Sequence, residues 1–189
     1  EKLAALVAAR IKLLEETRSK IGPDKLIIYN GLLKDDPGKL LQFADGAMIE
    51  SFGHPKYGDS REALTEAFDA TGAAAKDGKI VLLKGWPSFT FREEEMMRKP
   101  HEELARLAKD RITLSLAWFL VAAETNSYFC YTWGYREMHG TFDWYPEFDK
   151  PLGPPKGVAV QDGGIIRREF EHASVSVDLE NKTAEIDWK

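Results

Sequence analysis

The sequence has one cysteine among 189 residues, no block of basic residues and no apolar stretch long enough to span a membrane. A lone cysteine, Cys130, cannot form an intrachain disulfide, so no disulfide framework holds this fold. The longest apolar stretch, residues 114–123, is far shorter than the ~20 residues of a membrane-spanning helix. With no Lys/Arg cluster and a net charge of -5, the chain is not expected to bind nucleic acid or an anionic membrane surface.

Motifs that bind cofactors and metals are also missing from the sequence. It contains no glycine-rich phosphate loop and no strand-to-helix elbow around a serine. Glu50 and His54 are four residues apart, but Gly53 and Pro55 exclude the helix that would bring them together. The sequence therefore predicts no cofactor and no metal site.

The first 133 residues alternate between helical and strand patterns, in a composition of 43% hydrophobic and 30% charged residues that is typical of a globular domain. Ser60 is a plausible N-cap of one helix, and Gly78 ends it. Continuously apolar strands that follow helices predict a parallel sheet with right-handed crossovers. The apolar stripe of the first helix, residues 1–20, is expected to pack on that sheet. The predicted strands lie near residues 25–31, 47–50, 79–86 and 127–133.

The pattern changes after Trp133. Residues 134–150 are rich in aromatic and acidic side chains, and residues 163–188 alternate apolar and polar residues between turn signals. Such alternation predicts a small antiparallel meander. We therefore expect α/β units over residues 1–150 and a C-terminal β meander over residues 151–189, packed on the same domain.

Polar and aromatic side chains stand at the ends of the predicted strands. Because the carboxyl ends of adjacent parallel strands share one edge of a sheet, these side chains should meet where ligands bind. Aromatic rings stack on sugars while amide, amine and carboxyl groups hydrogen-bond hydroxyls, so the set predicts a carbohydrate site. Packing under loops is an equally good interpretation for any one aromatic, as is a structural ion pair for the acid. The set comprises Asn30, Glu50, Lys84, Trp86, Tyr131 and Trp133.

The order of several short segments resembles a known family. These segments are residues 28–31 (Ile-Tyr-Asn-Gly), 44–50 (Ala-Asp-Gly-Ala-Met-Ile-Glu), the aromatic fourth strand, 152–154 (Leu-Gly-Pro), 168–170 (Arg-Glu-Phe) and 175–177 (Val-Ser-Val). Together they resemble the carboxyl-terminal half of a glycoside hydrolase family with a (β/α)8 TIM barrel. The resemblance implies that this chain holds barrel strands five to eight. It also implies that an earlier strand, without a counterpart here, brings a first carboxylate.

Four strands cannot close into a barrel. The chain begins inside a helical pattern without an initiator Met, which suggests that something precedes it. Three arrangements stay open: the chain is a piece of a longer one, a second subunit supplies the remainder of the barrel, or the sheet is a smaller open α/β fold.

Hydrolysis of a glycosidic bond normally needs two carboxyl groups. We expect Glu50 to act as general acid/base, since apolar neighbours such as Met48 and Phe52 would favour its protonated form. The second carboxylate is expected from outside this chain, although three loop acids, which are also well explained as solvated side chains, are candidates: Glu137, Asp143 and Glu147.

The expected partner is an oligosaccharide or polysaccharide, and the expected activity is its hydrolysis. A non-catalytic glycan-binding or structural assembly module that retains the barrel fold is the alternative. A small open doubly wound domain with an unrelated ligand is a third possibility.

Overall fold

The computed structural model describes residues 2–33 and 37–189, which form a parallel sheet, an antiparallel sheet and the helices between them. The helices are α1 (Lys2–Ile21), α2 (Pro37–Leu41), α3 (Arg61–Lys76), α4 (Glu94–Met97) and α5 (His101–Ala122). The strands are β1 (Ile28–Asn30), β2 (Gly46–Ile49), β3 (Ile80–Gly85), β4 (Ser127–Tyr131), β5 (Val160–Asp162), β6 (Ile165–Glu169), β7 (Ala173–Asp178) and β8 (Thr183–Trp188). This is the predicted α/β class with an added antiparallel segment. None of the helices that the structure describes is both long and apolar enough to cross a membrane.

The four strands of the parallel sheet lie side by side in chain order, β1-β2-β3-β4. Every pair is parallel, as the sequence predicts, and each new strand is added on the same side of the previous one. A doubly wound sheet would reverse this order at a switch point. The sheet is therefore wound in one direction over the described strands.

One face of this sheet is covered by helices. On β3, Val81 and Leu83 are fully buried in a core shared with Leu64 of α3 and Ile112 of α5. The intervening Leu82 is only half-buried, because successive strand residues point to opposite faces. The opposite face of the sheet carries exposed apolar side chains such as Tyr128.

Helix α3 begins and ends where the sequence predicts. The Ser60 hydroxyl accepts a 3.1 Å hydrogen bond from the backbone N–H of Ala63 and so caps the helix. At the other end Gly78 has a φ of +69°, a left-handed conformation that glycine adopts without strain. The helix thereby turns directly into β3.

Helix α5 lies between the two sheets. It contacts β3 and β4 on one side and β6, β7 and β8 of the antiparallel sheet on the other. Its second half is therefore enclosed, which accounts for the apolar run from Ile112 to Ala122. The antiparallel sheet has the order β5-β6-β7-β8, which is the predicted meander.

The apolar stripe of α1 is less buried than the sequence predicts. Val7 is its one buried residue, Ile11 and Leu14 are half-buried, and Leu3 and Leu13 are 61% and 62% exposed.

The segment from 88 to 99 contains the short helix α4. It runs along the strand ends, where the N–H of Phe91 donates a 2.7 Å hydrogen bond to the carbonyl oxygen of Trp133.

Candidate functional site

A cavity of about 510 Å³ lies at the carboxyl ends of β1 and β2. Asn30 and Glu50 line it from the strand ends, and His54 lines it from the loop that follows β2. Trp86, just after β3, and Tyr135, from the aromatic loop after β4, complete the wall. The cavity therefore lies at the edge of the sheet where ligands bind in parallel α/β folds.

The Glu50 carboxylate is held by neighbouring side chains at this edge. Asn30 donates a 2.9 Å hydrogen bond from Nδ2 to Oε2 of Glu50, and the Tyr135 hydroxyl also hydrogen-bonds the carboxylate. The indole N–H of Trp86 donates a 2.9 Å hydrogen bond to the backbone carbonyl oxygen of Glu50. A carboxyl fixed in this way beside a cavity can exchange a proton with a bound group.

Strand alternation explains why these residues meet. Asn30 is paired with Met48, two residues before Glu50, so the side chains of all three point to the same face of the sheet. Lys84 follows Leu82, the partner of Met48, by two residues and lies on that face as well.

Burial of the Tyr135 hydroxyl, together with its hydrogen bond to Glu50, raises the pKa of Tyr135 to about 12.

Lys84 is a buried amine beneath the aromatic wall. Its side chain is 3% exposed, and Nζ donates a 3.1 Å hydrogen bond to the carbonyl oxygen of Thr132. The same atom lies 2.9 Å from the centre of the Trp86 ring and 5.2 Å from that of Tyr135. Burial lowers the pKa of Lys84 to about 7, although the nearby Cys130 and Glu50 raise it in part.

His54 packs edge-on against Trp86, with the ring centres 4.6 Å apart. Its Nδ1 accepts a 3.1 Å hydrogen bond from the backbone N–H of Lys56, which assigns the proton of the neutral ring to Nε2. Burial, followed by the charges of Lys84 and Arg92, lowers the pKa of His54. At neutral pH the ring is thus a neutral donor on the cavity wall.

Tyr131 and Trp133 do not join the other predicted site residues. Tyr131 is on the helix-covered side, where its hydroxyl donates a 3.0 Å hydrogen bond to the carbonyl oxygen of Ala108 in α5. Trp133 is fully buried against Phe89, with the ring centres 5.7 Å apart. Both rings are core residues in this structure, and the cavity wall does not include them.

The three loop acids considered as partners of Glu50 also lie away from the cavity. Asp143 Oδ1 lies 3.2 Å from Nε2 of His101, within hydrogen-bond distance, and together with Glu137 it lines a separate, open depression. Glu147 is half-buried in the second 3₁₀ turn, Pro146–Asp149. In the part of the chain that the structure describes, no three His, Cys, Asp or Glu side chains are grouped as metal ligands.

Several cavity residues were missed by the sequence analysis. Arg92 and Phe91 come from the segment before α4, Tyr135 from the aromatic loop, and Glu66 from α3. The aromatic density of residues 134–150 was a signal for Tyr135. Nothing local distinguishes Glu66 from the other exposed acids of a solvated helix.

The comparisons with known proteins agree with a carbohydrate-related family. The model of hypothetical glycosyl hydrolase family 15 matches residues 1–174. The search of curated proteins gives no match. Because the family model covers nearly the whole chain, this protein belongs to hypothetical glycosyl hydrolase family 15.

Proposed function

We propose that this chain contributes to the hydrolysis of glycosidic bonds in an oligosaccharide or polysaccharide, with Glu50 as general acid/base. The position of Glu50 carries the proposal: the carboxylate stands at the carboxyl end of a buried parallel strand and lines a cavity of about 510 Å³. Membership of a glycosyl hydrolase family supports the reaction class.

The surroundings of Glu50 suit a group that both gives and takes a proton. Asn30 and Tyr135 donate hydrogen bonds that stabilise and orient the carboxylate, and the indole N–H of Trp86 holds the backbone carbonyl oxygen of Glu50. The aromatic wall can stack on a sugar ring, and Asn30 and His54 can hydrogen-bond its hydroxyls.

We further propose that the parallel sheet is one half of a (β/α)8 barrel, strands five to eight. Winding in a single direction supports this arrangement, as does the sheet face opposite the helices, where Ile28 and Tyr128 are 38% and 56% exposed. The exposed leucines of α1, including Leu3, also suit a helix that packs against a neighbouring β/α unit. The remainder of the barrel, from a longer chain or another subunit, would cover these surfaces and supply the second carboxylate that hydrolysis requires.

A non-catalytic glycan-binding or structural assembly module is the second candidate. It is favoured by the fact that Glu50 is the one strand-end carboxylate that lines the cavity among the described residues. A fold can keep a sugar site after its chemistry is lost.

The substitution Glu50→Gln separates the two candidates, because the amide keeps the shape of the side chain but cannot carry the proton. For an enzyme, we expect turnover of a cleavable oligosaccharide to fall by a factor of about 10² to 10⁴ with little loss of affinity. Glu95→Gln, on the exposed face of α4, is the matched control and should change neither.

Binding without cleavage by the complete wild-type protein, with the remainder of the barrel present, would favour the binding module if that binding is unchanged in Glu50→Gln. A protein that neither binds nor cleaves any glycan of a broad panel would contradict both candidates.

A further inference from the structure

Arg92 brings a guanidinium group to the cavity wall without an acidic partner. The side chain is exposed, and its guanidinium carbon lies 5.6 Å from the centre of the Phe91 ring. Among residues 2–33 and 37–189, none forms a salt bridge with it, whereas Arg18 is paired with Asp45 and Arg61 with Glu180.

Neither the acid that follows Arg92 in the chain nor the two on the cavity wall form a salt bridge with Arg92. Glu93, the next residue, accepts a 2.8 Å hydrogen bond from the backbone N–H of Thr90. Glu50 already accepts hydrogen bonds from Asn30 and Tyr135. Glu66, the other carboxylate on the wall, forms no salt bridge with Arg92. The guanidinium is therefore available to a ligand.

His54 is a second hydrogen-bond donor on the cavity wall that Arg92 lines. Its Nδ1 accepts a hydrogen bond from the backbone N–H of Lys56, so Nε2 carries the N–H of the neutral ring. Arg92 is close enough for its charge to lower the pKa of His54. The guanidinium and the imidazole N–H can therefore contact one negative ligand.

We propose that the sugar taken by this cavity carries a carboxylate, as a uronic acid does, and that Arg92 binds it. The inference rests on the proposed function and adds the substrate class to it. The planar guanidinium matches a carboxylate through two parallel hydrogen bonds, a geometry that distinguishes a uronate from a neutral sugar. A sulfate ester of a sugar is also negative but is tetrahedral where a carboxylate is planar, so the test includes a sulfated sugar.

The test compares pairs of ligands that differ only at carbon six of one sugar. The complete protein is titrated calorimetrically with a glucuronide and the matching glucoside, a galacturonide and the matching galactoside, and a six-sulfated galactoside. We expect one acidic member to bind about tenfold more tightly than its neutral counterpart, the range of one charge-assisted hydrogen-bonded pair at a partly exposed site. Arg92→Gln should abolish that preference.

Arg98→Gln is the matched control, since Arg98 is an exposed arginine at the end of α4 that lies outside the cavity wall. It should leave the preference intact. Equal or tighter binding of the neutral members, or an acidic preference that survives Arg92→Gln, overturns the inference. So does a preference for the sulfated sugar over both uronides.

Failure of this inference is distinguishable from failure of the proposed function. If neutral glycosides are cleaved and Glu50→Gln stops the cleavage, the proposed function stands and the acidic substrate class is wrong. If neither uronides nor neutral glycosides bind, both fail together.

Discussion

The ammonium nitrogen of Lys84 lies 2.9 Å from the centre of the Trp86 ring, and the two residues occupy the same face of β3 and its extension. The indole ring stabilises the cation, while burial destabilises it. Burial prevails, so the pKa of Lys84 falls to about 7. Over the described residues no carboxylate forms a salt bridge with this amine.

This arrangement predicts a pH-dependent stability. The folded pKa of about 7 is below the value of about 10.4 in the unfolded chain, so the unfolded state binds more protons between these values. The cost of the buried charge is therefore fully present below about pH 7 and is relieved as pH rises toward about 10.4. We expect the free energy of unfolding of the wild type, relative to Lys84→Met, to rise by up to about 4 kcal/mol across this window.

Urea unfolding of the two proteins at a series of pH values between about 6 and 10 measures this difference. This range covers most of the interval between the folded and the unfolded pKa of Lys84. Lys109→Met, at an exposed position of α5, is the control and should give a difference that does not change with pH. A constant difference for Lys84→Met as well would mean that the amine keeps an ordinary pKa in the folded protein.

The strand ends show how far the sequence could predict the site. Because side chains alternate along a strand, the sequence predicts that Lys84 and Trp86 point to one face of the sheet. It predicts in the same way that Tyr131 and Trp133 point to a common face. The sequence alone does not reveal which of the two faces is covered by helices. The register of β3 with β4 decides it: Lys84 is paired with Cys130 and Gly85 with Tyr131, so Tyr131 faces α5.

The fold was more predictable than the site for a physical reason. A helix cap such as Ser60 and an apolar strand are each determined by residues that are close together in the sequence, and the structure confirms them. Arg92 and Tyr135 reach the cavity through the paths of long loops, which no local pattern determines. The apolar stripe of α1 was predicted to pack on the sheet and is only partly buried, because periodicity identifies an apolar face but not the surface that covers it.

A second prediction concerns Arg168 of β6, which connects the antiparallel sheet to the end of α5. Its side chain is buried, and its guanidinium donates hydrogen bonds to the carbonyl oxygens of Leu120, Val121 and Ala123 at the end of the helix. These carbonyls have no partners within the helix. We expect Arg168→Leu to lower the free energy of unfolding by about 3 kcal/mol, since it leaves several buried acceptors unpaired.

Chemical denaturation provides the measurement. Arg167→Leu, at the adjacent exposed position of β6, removes the same charge and should cost less than about 0.5 kcal/mol. Arg168→Lys should recover only part of the loss, because an ammonium lacks the fork that reaches several carbonyls. Equal effects of Arg167→Leu and Arg168→Leu would contradict this role.

Glu66 offers a test of where the second carboxylate comes from. It lines the cavity from α3, but its side chain is exposed on a helix and not fixed at a strand end. If the remainder of the barrel supplies the second acid, kcat/KM of Glu66→Gln should stay within about threefold of wild type. A loss as large as that of Glu50→Gln would place both acids in this chain.

Gly46, at the first position of β2, has no room for a side chain. A Cβ atom added there would clash with the carbonyl oxygen of Ile80, which belongs to the paired strand and cannot move without disturbing the β2–β3 ladder. We expect Gly46→Ala to destabilise the protein by about 2 kcal/mol, the usual cost of overpacking a core. In an active protein it should also lower turnover, because β2 positions Glu50 four residues later.

Gly157→Ala is the matched control: it makes the same change where a Cβ atom meets nothing within 4 Å. Thermal unfolding of both variants, with activity measured well below the transition, separates the two effects of Gly46→Ala. A Gly46→Ala protein as stable as Gly157→Ala would mean that the space between Gly46 and Ile80 admits a Cβ atom. Unchanged turnover in a destabilised Gly46→Ala protein would instead show that the loop contacts of Glu50, and not its strand, set its position.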